Sequence, residues 1–277
     1  MFQKIVKSLK PISLPEIYIK LKGLIESCDY SMADVSLLVE HDPGMAARFL
    51  QVVNSPLYRG TKKIETVRHA VSMLGIHQVH DIVLSASVTE AFEGIKHNVM
   101  NMKKFWEGSF FCALTAKKLA LECAPTDSDR LVAIGLLHDF GHLGMYLAIP
   151  EEAQTALLEA KKLGRPLYQV ERDLLGFDYA EIGGYMMRHW DLPKSIQITI
   201  QFHLEPGKAN FCAMGTALLH LSSLLVQSSL EKGIFGEGAF AVDPSAWEIT
   251  NLTEEQCLHC RQSAANEFAA VSDRLFL

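Results

Sequence analysis

The sequence predicts an all-α fold, a multi-helix bundle, on three observations. Apolar residues recur at helical spacing from end to end, capping residues open many of these stretches, and the alternation of a half-buried strand is nearly absent. Ser31-Met-Ala-Asp34 combines an N-cap with an acidic residue three places on, opening a helix through Val39. Asp42-Pro43 pairs an N-cap with proline at the first helical position, and Met45, Ala46, Phe49, Leu50 and Val53 then share a face. That helix must stop at Asn54-Ser55-Pro56, because the residue before proline is driven out of the α region. A third helix covers Thr66–Leu74 with Gly75 as its cap, and a fourth covers His77–Phe92.

After a polar stretch at Ile95–Asn101, one long helix spans Met102–Cys123. Asp127 or Ser128 caps the next, which carries Leu131, Ile134, Leu137 and His138. Glu151–Leu163 follows a proline and ends at Gly164. Asp178-Tyr-Ala-Glu181 is a second capping box, for a helix that continues to Trp190. Pro193 opens the helix containing His203, and Pro206-Gly207 ends it. Ala209–Lys232 is again helical, Gly233–Pro244 reads as a surface loop or short hairpin, and Leu252-Thr253-Glu-Glu-Gln256 caps a last helix at Glu254–Phe276.

A chain of 277 residues can bury a substantial core, and its 49% hydrophobic and 21% charged residues are those of an ordinary globule. A net charge of −6 without a long basic run argues against a nucleic-acid binder, since neutralising phosphates needs clustered Lys and Arg. No apolar run is read as a membrane span, and the start lacks a secretory h-region. The six cysteines are scattered apart from Cys257 and Cys260, which fits a reducing cytoplasm. That C-x-x-C lies inside a predicted helix with no second pair to complete a zinc site, so it reads as two helical residues.

The most informative local feature is His138-Asp139, at the end of an apolar helical stretch in Gly135-Leu-Leu-His-Asp-Phe-Gly-His142. Such a pair either supplies two direct ligands to a metal or is a buried histidine bonded to a neighbouring carboxylate or carbonyl. Two longer stretches set it in context. Leu37–Tyr58 with Ala70-Val-Ser-Met-Leu-Gly75 is the first; Gly135–His142 with Gly176–Gly183 and Trp190-Asp-Leu-Pro193 is the second. In that order and at that spacing they resemble the HDOD domain, the HD-related output domain of bacterial signalling proteins. Asp42-Pro43, Asn54-Ser55 and Leu74-Gly75 match its DP, NS and LG positions, and the likeness covers roughly residues 11–208. The expected organisation is an HDOD-like domain at 1–208 and a helical extension at 209–277 packed on it. Each of the three short motifs also has a plain structural role: a helix start, an Asn bonding backbone at a helix end, and a helix stop.

The resemblance implies an HD-like helical bundle, related to metal-dependent phosphohydrolases but commonly regulatory, with metal ligands lost in many members. An active HD site would present an early His, the His-Asp pair and a late Asp. Here the early position falls in Phe105-Trp-Glu-Gly-Ser109, where Gly108 has no ligand atom. His138 and Asp139 are present, His142 stands where catalytic relatives carry Lys, Tyr179 replaces a further His, and Ser222 stands near His220 for the late Asp. Glu107 or Asp178 could substitute only in a rearranged helix. His138 and Asp139 are therefore the metal candidates, in a remnant pocket with His142 and His203. Two firm ligands are few for a divalent ion, so no cofactor is expected; Fe or Mn is the candidate if the site is filled. The remaining histidines share no spacing and read as surface or cap residues.

The first reading is a non-catalytic, cytoplasmic bacterial signal-transduction module that contacts signalling proteins, with a small ligand in the remnant pocket. The alternative is a metal-dependent phosphohydrolase acting on a nucleotide or cyclic dinucleotide. A third is a scaffold that forms a homodimer through its last helix.

Overall fold

The computed structural model describes residues 1–9, 14–55, 57–58, 63–91, 101–227 and 242–269. Among them every regular element is a helix, as the all-α prediction requires. The first is α1 (Phe2–Leu9). Then come α2 (Glu16–Glu26), α3 (Met32–Glu40), α4 (Pro43–Val53) and α5 (Val67–Ala91). The middle of the chain forms α6 (Met102–Cys123), α7 (Ser128–Leu137), α8 (Phe140–Ala148), α9 (Pro150–Leu163), α10 (Leu167–Leu175) and α11 (Tyr179–His189). Last are α12 (Lys194–Phe202), α13 (Ala213–Gln227), α14 (Pro244–Thr250) and α15 (Glu254–Ala269). The chain divides into two compact units, Ile12–Ile95 and Met1–Pro11 with Lys96–Leu277.

In the unit Ile12–Ile95, α3 and α4 pack on α5, and α2 packs on both α3 and α5. The Ser31 hydroxyl accepts the Asp34 N–H, and the Asp34 carboxylate accepts the Ser31 N–H, which completes the expected capping box. Asp42 accepts the Met45 N–H at 2.9 Å, and the face opened behind Pro43 buries Met45, Phe49 and Val53. At the end of α4 the Asn54 amide donates to Leu50 O and Ile64 O, and its oxygen accepts the Ile64 N–H, each at 2.8 Å. Gly75, at φ 75 and ψ 169, separates two helices that run as one element; its left-handed φ is the conformation glycine adopts without strain. The DP, NS and LG motifs are thus joints of the backbone.

The larger unit is organised on α6, against which α7, α13 and α15 pack. Helix α8 lies against α1, α9 and α11. The α8–α11 crossing is so close that a Cβ built on Gly141 would fall 1.8 Å from Tyr179 O. Residues 209–277, expected as an extension, supply α13, α14 and α15, and α13 also packs on α7 and α12.

Several local expectations change. Asp127 precedes α7 but makes no cap bond, and Ser128 donates its hydroxyl back to Pro125 O at 2.8 Å. Helix α12 ends at Phe202, which leaves His203 as its C-cap. Helix α13 starts at Ala213 and not at residue 209, since Cys212 has φ 66. The expected loop at 233–244 lies mostly outside the described residues, but its end is helical: Asp243-Pro244 opens α14 with the same cap-and-proline pair as α4. The stretch Pro125–Ala148 does reach the length and mean hydropathy, 1.3, of a membrane span. It is broken at His138-Asp139, and 78% of its apolar window is buried within the fold.

Candidate functional site

His138 and Asp139 occupy the break between α7 and α8. The His138 side chain is 3% exposed, and its Nδ1–H donates to Gly135 O at 2.8 Å. That bond fixes a proton on Nδ1, and Nε2 lies 3.3 Å from Asp139 Oδ1. Asp139 heads α8 without capping it. One turn on, His142 lies with Nδ1 3.8 Å from Asp139 Oδ1 and Nε2 3.6 Å from Glu171 Oε1. Both separations exceed a hydrogen bond, and Asp139 Oδ1 and His142 Nε2 are buried with no hydrogen-bond partner. Burial opposes charge on His142, but Glu171, Asp139 and Asp178 together outweigh it and raise its pKa above the ordinary histidine value.

Tyr179 closes the other side. Its ring stacks on His142 at a centroid distance of 3.9 Å, and its hydroxyl donates to His203 Nε2 at 3.2 Å. His203 is fully buried and donates from Nδ1 to Ile200 O at 2.7 Å. Burial, and then His138, depress its pKa to about 3, so it is neutral. His203 O in turn accepts from His220 Nδ1, whose Nε2 accepts the Asp243 N–H at 3.0 Å. Glu171, on α10, accepts the Tyr179 N–H with Oε2 at 3.0 Å, which places a carboxylate at the first turn of α11. The crossing at Gly141 brings these parts together: it lets α8 approach α11 closely enough for His142 to stack on Tyr179. A cavity of about 530 Å³ opens beside them, reached by Asp139, His142, Tyr179 and His220 and walled by α9, α10 and α13.

The donor set does not fit a divalent metal. His138 Nε2 and Asp139 offer two donors. The His203 lone pair is taken by Tyr179 and that of His220 by a backbone N–H. Asp178, considered as a substitute, is fully buried, caps α11 through the Glu181 N–H and pairs with Arg172 Nε at 2.6 Å. Ser222 donates to Leu218 O at 2.6 Å. Gly108 lies on α6 with open space where a side chain would begin. Among the described residues, no group of three or more His, Cys, Asp or Glu side chains is placed to hold an ion.

The structure therefore gathers all four sequence candidates, His138, Asp139, His142 and His203, around one site. It also moves His220 from a presumed surface or cap residue to a buried one, 4% exposed. Sequence reasoning missed Glu171. Its only signal was the amphipathic stretch Leu167–Leu175, where Val170 and Glu171 turn to the same buried face. Cys257 and Cys260 are buried helical residues, and burial lifts their thiols to about 12 and about 11, so neither is a ready nucleophile.

The HDOD domain family model matches residues 12–206. An uncharacterised protein of Treponema pallidum is 23% identical over 194 residues, 69% of this chain and 37% of its own length, so the chain spans little more than a third of that relative. Three solved structures share the fold. An HDOD domain protein of unknown function from Geobacter sulfurreducens has a TM-score of 0.75 at 22% identity, covering 96% of this chain and 93% of its own. A candidate signal transduction protein from Marinobacter aquaeolei has 0.72 at 21%, covering 94% and 58%. A candidate phosphohydrolase from Shewanella amazonensis has 0.69 at 22%, covering 94% and 98%.

Proposed function

The chain belongs to the HDOD family, and from that premise we propose that it is a non-catalytic signal-transduction module of the bacterial cytoplasm. It acts by contacting signalling proteins, and its HD-type pocket serves as a regulatory or structural remnant. One observation carries the reading: the Tyr179 hydroxyl occupies the His203 lone pair, and the Tyr179 ring covers His142. A tyrosine thus fills the place where a ligand would reach a metal, while Gly108 and Ser222 offer no replacement.

The charge arrangement supports the same reading. His142 lies between Asp139 and Glu171, whose carboxylates raise its pKa above the ordinary histidine value, where a hydrolase would need a bound cation. An imidazole fixed between two carboxylates neither generates hydroxide nor clamps a phosphoester. Elemental analysis of protein produced in Fe- and Mn-supplemented medium tests this. The expected content is far below one ion per chain. Stoichiometric metal that disappears in Asp139→Ala would overturn the proposal.

A further inference from the structure

We propose that α8 and α11 form an acceptor groove for an amphipathic helix of a partner protein, and that α1 is a built-in competitor seated in it. This rests on the reading that the chain acts by contacting signalling proteins. The seat shows what it takes. Ile5 and Leu9 are buried on the inward face of α1, and the Phe2 ring meets Phe177 and Tyr185 edge-on at 5.6 Å each. Leu9 enters where the two helices pack: a Cβ built on Gly144 of α8 would lie 3.4 Å from Leu9 Cδ1 and 3.0 Å from Met186 Sδ of α11. At the rim, Lys4 Nζ meets Glu152 Oε1 of α9 at 3.9 Å. The groove thus receives an aromatic and two aliphatic side chains at positions i, i+3 and i+7 of a helix, with a basic residue at its edge.

The hold on α1 is slight, and its path is free. At eight residues it is too short to keep a helix unaided in water, so it is ordered only while seated. Three anchors must then offset the ordering of the whole segment. Among the described residues no other ion pair and no side-chain hydrogen bond ties α1 to its unit, and the pair with Glu152 is open to solvent, where it adds little. The chain leaves this unit at Pro11 and returns at Lys96, so α1 can unseat without breaking the run from α6 to α15. The family match begins at residue 12, which puts α8 and α11 inside the shared domain and α1 outside it. The groove belongs to the domain, and its cover is an addition.

The probe is a fluorescein-labelled peptide of the α1 sequence, Met-Phe-Gln-Lys-Ile-Val-Lys-Ser-Leu, titrated by anisotropy with the full chain and with its Ile5→Asp and Phe2→Ala variants. If α1 is seated about nine-tenths of the time or more, unseating it by Ile5→Asp should tighten peptide binding about 10-fold or more, and Phe2→Ala should fall between. The same peptide carrying Ile5→Asp should bind at least about 10-fold more weakly, because it lacks the central anchor. On the unmodified chain, excess peptide should speed amide exchange of Phe2–Leu9 about 10-fold and leave α6 unchanged, which decides the matter even if the variants fold poorly. Equal affinity for all three chains, or no binding with α1 exchange unchanged, overturns the groove. A dimer of the unmodified chain that the peptide dissolves makes the occupant a second copy and overturns the partner assignment. Either failure leaves the non-catalytic reading standing, since metal content decides that separately.

Discussion

Acidifying the protein from pH 7 to 4.5 sets His203 against its surroundings, because the ring cannot accept a proton without giving up its bonds. Its Nδ1–H is committed to Ile200 O, its Nε2 receives the Tyr179 hydroxyl, and the His138 ring meets it edge-on at 5.8 Å. Burial and the neighbouring His138 hold its folded pKa near 3, against an ordinary value of 6.5. Between those values the unfolded chain binds a proton that the folded chain refuses, so stability is lost as the pH falls below 6.5. Each unit is worth about 1.4 kcal/mol, so His203 alone should remove about 3 kcal/mol by pH 4.5. In urea, with a slope near 3 kcal/mol/M, that is a midpoint shift of about 1 M. The assay compares unfolding of the native chain and of His203→Gln at both pH values by circular dichroism. Glutamine keeps an acceptor for Tyr179 but does not titrate. The variant should begin less stable at pH 7, by about 1–3 kcal/mol, and lose about 3 kcal/mol less on acidification. Parallel losses in the two proteins would refute the argument.

Three further outcomes follow from the packing and charge. Gly141→Ala should cost about 3 kcal/mol or more in urea unfolding, because its methyl would meet backbone on α11, whereas Gly23→Ala, with nothing within 4 Å, should be neutral or stabilising. Asp178→Ala should cost about 3–5 kcal/mol by removing both the α11 cap and the Arg172 pair, and Asp178→Asn should recover the cap's share, roughly 1 kcal/mol. His142 has the opposite linkage to His203. Its folded pKa is raised, so its contribution is complete below 6.5 and fades as the pH rises through the folded value. Glu171→Gln should move the His142 titration downward in an NMR pH series; an unchanged midpoint would show that Glu171 does not hold its charge.

Local chemistry made much of this fold legible before the structure. Capping residues are read from one turn of chain, and Ser31, Asp42, Asp178 and Thr253 all cap as their spacing requires. The long α6 matches its predicted bounds, since Asn101 accepts the Lys104 N–H at its start. What stayed hidden depends on contacts distant in sequence. Helices α1 and α10 are short, and it is the burial of Ile5 and Leu9 in one, and of Val170 and Glu171 in the other, that marks their inward faces. The four site residues could be named because motif spacing places them, but their bonding could not. That His203 receives a proton from Tyr179, and that Glu171 faces His142, are consequences of the α8–α11 crossing and the α9–α10 hairpin. Cys212, in a left-handed conformation that carries no sequence signal, explains the misplaced start of α13.

The central claim, that this pocket has lost phosphoester chemistry, is tested most directly by hydrolysis of bis(p-nitrophenyl) phosphate. The purified chain is assayed with Mn²⁺, Fe²⁺, Ni²⁺ or Mg²⁺ in turn, beside His138→Ala and Asp139→Ala. The account predicts that all three proteins release p-nitrophenol at the rate of the metal alone. Release by the native chain that either substitution abolishes would contradict it.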